Sequence, residues 1–354
     1  MPPGRQDPWL RKYDRPVPPG AGSAAPGRHG RCTVTAADGT ITITDDNSTV
    51  SINKVAVGGD TPLPNAAFTL TNNNSDANFE GVKIGDKTYT ATDKEIKFTG
   101  DKTFTGLKDG EYTLKETVAP NGYTVVSAFT FKVENGVVVS TSAETTGNVT
   151  VSKEGDKITV ADDISVIEFN KTYVNGDTPS EDAQFKLTSE TEGIFAGVKV
   201  GETIYDKTAT EIEFAGNKTF TGLKDGKYTL EETVAPDGYT VVSKFTFTVE
   251  NGVIDLKNSE TTGGVEYTDD GKKIIITDDI SAISINKVAA GGDTSLPNAE
   301  FTLTNKDANA NFAGVKVGET TYDETTTEIE FAGNKTFTGL KDGKYTLEET
   351  VAPD

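Results

Sequence analysis

Apolar and polar residues alternate along much of this chain with a period of two. In F-T-F-K-V-E-N-G-V-V-V, residues 129–139, apolar side chains occupy every second position until an Asn-Gly pair interrupts them. That period is typical of a β-strand with one buried face, and Asn-Gly is a preferred pair in tight hairpin turns. The pattern returns at residues 245–254. These segments predict two β-hairpins, and no stretch shows a sustained helical period.

Other turn signals separate further alternating segments. Leu-Lys-Asp-Gly precedes Glu111-Tyr112 and recurs in two later copies, and K-E-G-D-K occupies residues 153–157. We interpret the first as a hairpin turn in each copy and the second as a further hairpin turn. Many short strands joined in this way predict an all-β fold of tandem antiparallel β-sandwich domains, Ig-like in architecture.

The segments recur with a period that suits whole domains. A lysine, a glutamate and an aspartate each return at intervals of 116 or 117 residues, which is too long for a solenoid unit. The nine residues are Lys54, Lys171, Lys287, Glu116, Glu232, Glu349, Asp45, Asp162 and Asp278. The predicted units are terminal strands of a preceding repeat at 33–47, complete repeats at 48–163 and 164–279, and a repeat at 280–354 that stops before its last strands.

Each complete repeat places these charged residues on the apolar face of a strand. Lys54 ends V-S-I-N-K, Glu116 ends Y-T-L-K-E and Asp162 ends I-T-V-A-D, so each shares the parity of the apolar residues before it. Because side chains alternate faces along a strand, all three are expected to point into the core. An unpaired buried charge costs several kcal/mol, so the three groups are expected to interact with one another.

Two aspartates close each complete repeat, and parity separates them. Asp162 and Asp278 share the parity of the aliphatic residues before them, whereas Asp163 and Asp279 fall on the opposite face. We therefore expect the first aspartate of each pair at the core and the second in water.

A lysine, a glutamate and an aspartate in a dry site can form an intramolecular amide bond. Burial favours the neutral amine, which is the nucleophile, and a neutral glutamic acid, which can shuttle protons. The expected cross-links are Lys54–Asp162, promoted by Glu116, and Lys171–Asp278, promoted by Glu232. A buried salt bridge among the same groups would explain the same parities without a covalent bond.

The last repeat has part of this set. It contains Lys287 and Glu349, the equivalent of the promoting glutamates, but no closing strand within this chain. We therefore expect no bond inside this repeat and expect it to be the least stable. Asp45 ends the strand of the truncated preceding repeat, and its donation to the last repeat of another copy is a less favoured alternative.

Several motifs resemble the Cna protein B-type, or SpaA-type, domains of Gram-positive pilins and surface adhesins. T-P-L-P-N-A-A-F-T-L at 61–70 is similar to the segment after the first strand of that family. Y-T-L-K-E-T-V-A-P-N-G-Y at 112–123 is similar to its glutamate box, which returns at 228–239 and at 345–354. The resemblance covers residues 33–354 and implies a prealbumin-like sandwich with a spontaneous isopeptide bond. The family often has asparagine where this chain has aspartate, and aspartate would release water instead of ammonia.

The resemblance implies structural stalk repeats of a bacterial cell-surface adhesin or pilin-like protein, with no enzyme activity, cofactor or metal. Neighbouring repeats of the parent protein would be its partners. The alternative is an adhesive module that binds a host extracellular-matrix protein or glycan through domains holding a buried polar cluster and no covalent bond. Repetition and small acidic surface residues favour the stalk, because binding surfaces usually expose an aromatic cluster.

Composition narrows the classes further. The net charge of −21 argues against nucleic acid and anionic membranes as partners and suits an extracellular, cell-wall location. With a single cysteine, Cys32, and a single histidine, His29, the repeats have no disulfide and no Cys- or His-based catalytic set. Neither a calcium-loop nor a zinc-ligand spacing occurs in the sequence.

Residues 1–32 differ from the rest of the chain. They hold all five arginines and seven of the 14 prolines. This composition predicts a disordered Pro/Gly/Arg-rich segment, of doubtful origin beside the Thr-rich repeats. Because the segment has no continuous apolar run, it is expected to be neither a signal peptide nor a membrane span.

Overall fold

The structure is a computed structural model of the 354-residue chain. It describes residues 32–37, 40–45, 47–59, 61–142, 148–174, 176, 182–260, 262–307 and 311–353. Within those ranges every regular element is a β-strand, so no helix there could span a membrane. The predicted Pro/Gly/Arg-rich segment lies outside the described residues, apart from Cys32.

The described part of the chain begins with a two-stranded hairpin and continues with three successive sets of strands. The hairpin consists of β1 (Cys32–Ala37) and β2 (Thr40–Asp45). The first repeat contains β3 (Thr49–Ala56), β4 (Ala67–Asn72), β5 (Lys83–Ile84), β6 (Lys87–Thr88), β7 (Glu95–Thr99), β8 (Lys102–Thr105), β9 (Gly110–Val118), β10 (Phe129–Glu134), β11 (Val137–Thr141), β12 (Val149–Val151) and β13 (Lys157–Asp162). The second repeat contains β14 (Val166–Tyr173), β15 (Gln184–Thr188), β16 (Lys199–Val200), β17 (Thr203–Ile204), β18 (Glu211–Ala215), β19 (Lys218–Thr221), β20 (Gly226–Val234), β21 (Phe245–Glu250), β22 (Val253–Ile254), β23 (Val265–Tyr267) and β24 (Lys273–Asp278). The last region contains β25 (Ala282–Ile285), β26 (Glu300–Asn305), β27 (Lys316–Val317), β28 (Thr320–Thr321), β29 (Glu328–Ala332), β30 (Lys335–Thr338) and β31 (Tyr345–Val351).

Each complete repeat is a sandwich of two sheets around an apolar core. In the first repeat, one sheet has the order β11-β10-β9-β4-β7 and the other β12-β13-β3-β8-β5-β6. The second repeat has the orders β18-β15-β20-β21-β22 and β17-β16-β19-β14-β24-β23. A separate cluster of buried aliphatic and aromatic side chains fills each sandwich. The predicted all-β sandwich is confirmed.

The first and last strands of each complete repeat are neighbours, and they run parallel. β3 pairs with β13 and β14 pairs with β24, whereas every other strand pair described is antiparallel. Parallel neighbours require a long connection, and here the rest of the domain provides it. This pairing places the first and last strands of each repeat side by side, although they are far apart in the sequence.

Two of the predicted turns form hairpins and one does not. Asn135 and Gly136 join β10 to β11 with φ angles of 51° and 76°, as a two-residue hairpin with positive φ requires. Residues 153–157 join β12 to β13 in the same antiparallel manner.

The hairpin predicted at Leu-Lys-Asp-Gly is wrong, because β8 and β9 lie in different sheets. Leu107 of this segment is buried, and the Tyr112 hydroxyl donates to the Lys108 carbonyl over 2.8 Å. The same tyrosine bond recurs from Tyr228 to Lys224 over 2.7 Å. The segment therefore crosses the edge of the core and is held there by the tyrosine.

Ring packing organises the core of the first repeat. Phe68 of β4 stacks on Phe98 of β7 with centroids 5.2 Å apart, and Tyr112 of β9 stacks on Phe131 of β10 at 5.5 Å. Offset ring pairs at such separations add to the stability already supplied by burying the ring area. Phe68 also lies beside Lys54, so its stacking on Phe98 fixes the ring that faces this lysine.

Candidate functional site

Three strands from both sheets bring the predicted charged residues together. Lys54 lies on β3, Asp162 on the adjacent parallel β13, and Glu116 on β9 of the facing sheet. In the register of the parallel pair, Lys54 lies beside Val160, so Asp162 is two residues further along on the same face. The alternation of each strand turns all three side chains inward, where Lys54 and Asp162 are 0% exposed and Glu116 is 5% exposed.

The three side chains are in direct contact in the first repeat. Lys54 Nζ contacts Asp162 Oδ1 and lies 3.2 Å from Glu116 Oε2. The same Glu116 oxygen accepts the backbone N–H of Val126 at 2.8 Å, which fixes the carboxyl against the segment that follows β9. The Phe68 ring lies 5.8 Å from Lys54 Nζ and closes the site on its other side.

The second repeat builds the same site from its own residues. Lys171 Nζ contacts Asp278 Oδ1 and lies 3.1 Å from Glu232 Oε1. Val242 N–H donates to Glu232 Oε2 at 2.8 Å, and the Phe185 ring lies 5.9 Å from the amine. Lys171, Glu232 and Asp278 are 1%, 7% and 0% exposed. Two sequence-distant copies therefore reach the same geometry.

Burial dominates the electrostatics of the carboxyl groups. It raises the pKa of Glu116 to about 8, against the opposing effects of the Lys54 charge and the Val126 N–H. It raises the pKa of Glu232 to about 7, against the Val242 N–H and the Lys171 charge. Burial also raises the pKa of Asp162 above its ordinary value. Near neutral pH a proton is therefore available within the site.

Three buried carboxyl oxygens have no hydrogen-bond partner among the described residues: Glu116 Oε1, Asp162 Oδ2 and Asp278 Oδ2. Glu232 Oε1 makes no hydrogen bond there either, but it lies 3.1 Å from the Lys171 amine. Leaving a charged oxygen buried without a partner is costly, whereas a proton held between two carboxyl groups removes that cost. Chemically, the site contains an amine in contact with one carboxyl group and close to a second carboxyl group that can carry a proton.

The second aspartate of each pair lies outside the site. Asp163 and Asp279 are exposed, and Asp163 accepts the side-chain amide of Asn148 at 3.0 Å. The parity argument and the structure agree on this distinction.

Sequence reasoning missed the residues that hold the lysine backbone in place. The Lys54 N–H donates to Asp101 Oδ1 at 2.7 Å, and the Lys171 N–H donates to Asn217 Oδ1 at 2.6 Å. Asp101 and Asn217 are 116 residues apart, so the repeat period could have identified them as equivalent positions. The change from aspartate to asparagine made this equivalence hard to recognise. The Val126 N–H was also missed, because a backbone donor leaves no trace in residue type.

The last region holds an open version of the site. Lys287 Nζ lies 2.8 Å from Glu349 Oε2, and the two side chains are 28% and 32% exposed. Asp45, the remaining predicted residue, is exposed at the end of β2, whose neighbour among the described strands is β1. The structure does not bring Asp45 to Lys287.

In the described ranges, no group of three or more histidine, cysteine, aspartate or glutamate side chains is placed to hold a metal ion. The two closed sites each contain two acids and a lysine amine, and the amine occupies the position between them that a cation would take. Such a donor set does not suit a metal.

Comparison with curated proteins gives two matching sequences, both described as "Serine-aspartate repeat-containing protein F" and 28% and 29% identical to this chain. "Serine-aspartate repeat-containing protein F" of Staphylococcus epidermidis is 28% identical over 302 residues, which is 80% of this chain and 16% of the relative. The chain thus spans a small part of that protein.

Solved structures are similar to this chain only at low identity and low TM-score. The Bacillus anthracis TIE protein is 22% identical with a TM-score of 0.35, covering 89% of this chain and 48% of that one. BcpA, the major pilin subunit of Bacillus cereus, is 15% identical with a TM-score of 0.26, covering 87% of this chain and 89% of that one. At these TM-scores the likeness supports no statement about function.

The sequence profile of one family matches the chain three times. The family is described as SpaA, prealbumin-like fold domain, and the matches cover residues 48–147, 165–262 and 281–354. Together they cover more than half of the chain, and the resemblance noted from the glutamate box is confirmed. The chain therefore belongs to the SpaA-type family of prealbumin-like fold domains.

Proposed function

We propose that the complete repeats are structural stalk segments of a Gram-positive cell-surface protein, and that each is locked by a spontaneous Lys–Asp isopeptide bond. The observation that carries the proposal is the buried contact of Lys54, Glu116 and Asp162, repeated by Lys171, Glu232 and Asp278. Membership of the SpaA-type family and the Staphylococcus epidermidis relative support the extracellular, cell-wall location.

The proposed reaction is a condensation within the folded domain. The neutral Lys54 amine attacks the Asp162 carboxyl carbon, a nitrogen–carbon bond forms, and a carbon–oxygen bond breaks. Glu116 donates its proton to the departing oxygen and takes a proton from the lysine nitrogen, so it ends as it began. One water molecule leaves for each bond formed. Because each domain reacts once, this is self-modification and not enzyme turnover.

The site favours this reaction over a permanent ion pair. A buried ion pair must recover the cost of removing two charges from water, and a buried pair often does little better than break even. An amide carries no charge and removes that cost. The folded core also holds amine and acid in contact, which replaces a bimolecular encounter by an effectively unimolecular step.

The bond would connect the two ends of each domain. Lys54 and Asp162 are 108 residues apart in sequence, and Lys171 and Asp278 are 107 apart. By analogy with a disulfide closing a loop of that length, restriction of the unfolded chain is worth about 4–5 kcal/mol. Since β3 and β13 are adjacent, tension along the array would pass through the cross-link and leave the sandwich unloaded.

Intact mass under denaturing conditions tests the proposal on the full chain. We expect a deficit of two water molecules from the sequence mass, falling to one in Glu232→Gln. The matched control is Glu231→Gln, because Glu231 is the outward neighbour on β20 and its side chain is 46% exposed. A mass equal to the sequence mass would leave a buried polar cluster and favour a ligand-binding module.

A further inference from the structure

At each junction, a serine at the start of the following repeat, in the segment called the linker here, is hydrogen-bonded to both domains. The Ser165 N–H donates to the Gly122 carbonyl of the first repeat at 2.8 Å. Its carbonyl accepts the Gly222 N–H of the second repeat at 2.8 Å, and its hydroxyl donates to the Leu223 carbonyl at 2.9 Å. Ser165 is 0% exposed, so this linker residue is packed like part of a core and not like a flexible connection.

The second linker repeats the arrangement bond for bond. The Ser281 N–H donates to Gly238 at 2.9 Å, its carbonyl accepts the Gly339 N–H at 2.8 Å, and its hydroxyl donates to Leu340 at 2.9 Å. Two different pairs of domains therefore meet through the same contacts. The recurrence shows that the junction is a property of the repeat sequence.

Glycines let the two backbones meet at the junction. A Cβ placed on Gly122 would lie 3.1 Å from the Gly222 carbonyl oxygen, and one on Gly238 would lie 3.0 Å from that of Gly339. A side chain at either position would meet the backbone of the next repeat, which cannot rotate away. A Cβ in the Gly-Tyr turn would therefore push the following repeat away by a few tenths of an ångström.

A second contact lies apart from the serine. Asn251, in the hairpin turn between β21 and β22, accepts the backbone N–H of Ala119 of the preceding repeat at 3.0 Å. The next residue, Gly252, is buried, and a Cβ there would lie 2.3 Å from the Tyr123 carbonyl oxygen. In the first repeat the equivalent Asn135 is exposed. One contact between two bodies permits pivoting, whereas two separated contacts oppose it.

We propose that this surface, the serine linker with the facing glycines and the Asn-Gly turn of the following repeat, is a docking interface that holds successive repeats in one orientation. The partner of each Ala-Pro-x-Gly-Tyr turn is the next repeat of the same chain. The consequence is a stiff junction between the first and second repeats, where both contacts are present. This goes beyond the covalent locking of single domains and does not depend on it.

Distance measurement between spin labels tests the docking interface on the full chain. Labels are placed by Lys97→Cys in the first repeat and Glu213→Cys in the second, in a Cys32→Ser background, because these side chains are 73% and 72% exposed. We expect one narrow distance distribution for this chain. Adding Gly122→Ala is expected to broaden the distribution and shift its mean.

Gly81→Ala is the matched control. Gly81 and Gly122 share a φ of 86°, so alanine meets the same backbone strain at both, but a Cβ on Gly81 has nothing within 4 Å. The Gly81→Ala distribution is expected to stay narrow. A broad distribution without either alanine, or equal broadening by both, would overturn the proposal.

A second pair of variants guards against a folding defect at Gly122. Asn251→Gly keeps the positive φ of 54° available and removes only the acceptor of the Ala119 N–H. It is expected to broaden the distribution, and Asn135→Gly, at the equivalent exposed turn, is not. Unchanged widths in both would contradict the second contact. Denaturing mass on the same samples reports the isopeptide bonds separately, so a failure of either proposal is recognised by itself.

Discussion

The closed site of the first repeat and the open site of the last region start from the same residues and end in different environments. Lys54 and Glu116 are 0% and 1% exposed at their side chains, whereas Lys287 and Glu349 are 28% and 32% exposed. The lysine–glutamate distance hardly changes, at 3.2 Å and 2.8 Å. The lysine and glutamate therefore pair in both regions, but they are buried only in the first repeat.

The comparison indicates that the strands after β9 make the site dry, because the last region has no counterpart of β10 to β13 among its described strands. Val50 on β3 is 0% exposed, while its counterpart Ile283 on β25 is 50% exposed. Among the described strands, β25 has β30 as its neighbour and no parallel partner. The strand that brings the aspartate belongs to this same part of the repeat. Under the proposed function the lysine would therefore stay unreacted until that part has folded.

The largest expected effect is on mechanical extension. Under tension the last region should unfold while both complete repeats stay closed. Lys54→Ala, which removes the nucleophile of the first repeat, should add an unfolding event of about 380 Å, from 108 residues at roughly 3.5 Å each. Single-molecule force spectroscopy on the full chain measures it.

Lys115→Ala is the control for that experiment, because Lys115 is an exposed residue on β9 beside Glu116. It should leave the first repeat closed. Full extension of the first repeat in the chain with Lys54 intact would show that no covalent bond carries the load.

Replacing Asp162 or its neighbour Asp163 tests which of the two aspartates forms the proposed cross-link. Asp162→Ala should cost one of the two missing waters, because the buried electrophile is gone. Asp163→Ala should leave the mass deficit unchanged, because the Asp163 side chain is exposed and bound to Asn148. Denaturing mass spectrometry decides the matter, and loss of a water deficit in Asp163→Ala would move the cross-link to the neighbouring residue.

A pair of leucines tests how far the missing strands weaken the last region. Leu114 on β9 is 1% exposed and Leu347 on β31 is 44% exposed, although they occupy equivalent positions. Leu114→Ala should destabilise its repeat by about 2–5 kcal/mol through the cavity it leaves. Leu347→Ala should change stability by no more than about 0.5 kcal/mol, as at other surface positions.

Hydrogen exchange followed by mass spectrometry, peptide by peptide, reports both changes separately. It also compares the parent regions, where the last region should exchange first. Equal losses in the two leucine variants would mean that the last region is packed as tightly as the first repeat.

Periodicity of two predicted the fold and the inward direction of the charged residues. Lys54, Glu116 and Asp162 each continue an apolar parity, so their shared location followed from the alternation of a strand. The parallel pairing of β3 with β13 could not be read in this way, because parity fixes a face and not a neighbour. The predicted antiparallel sandwich did not include this parallel pair.

The wrong hairpin prediction and the missed contacts involve backbone groups and packing that the identity of a residue does not reveal. Leu107 to Gly110 carries turn residues, yet the segment crosses between sheets because the leucine is buried and Tyr112 bonds back to Lys108. The Val126 N–H on Glu116 and the glycine contact between Gly122 and Gly222 are backbone features. Such contacts depend on the packed arrangement of distant segments, which a single sequence does not show.

The smallest expected effect separates the two closed sites by pH. Burial raises the pKa of Glu116 from 4.5 to about 8 and that of Glu232 from 4.5 to about 7. Between the ordinary and the raised pKa the folded domain keeps the proton, and above the raised pKa it loses it. Since the proposed reaction needs that proton, bond formation should slow above about pH 8 in the first repeat and above about pH 7 in the second.

Refolding of unreacted chain from denaturant at fixed pH, with samples taken for denaturing mass, measures these rates. Glu232→Gln isolates the reaction of the first repeat, and Glu116→Gln isolates that of the second. In each variant the rate should fall as pH rises through the raised pKa of the remaining glutamic acid. Before the bond forms, the stability of the folded domain should also fall as pH rises. A glutamic acid whose pKa is raised by folding stabilises the folded state at low pH, and this contribution is lost as pH rises through the raised pKa. Rates that rose steadily from pH 6 to pH 9 in both variants would mean that loss of the lysine proton, and not the glutamic acid, limits the reaction.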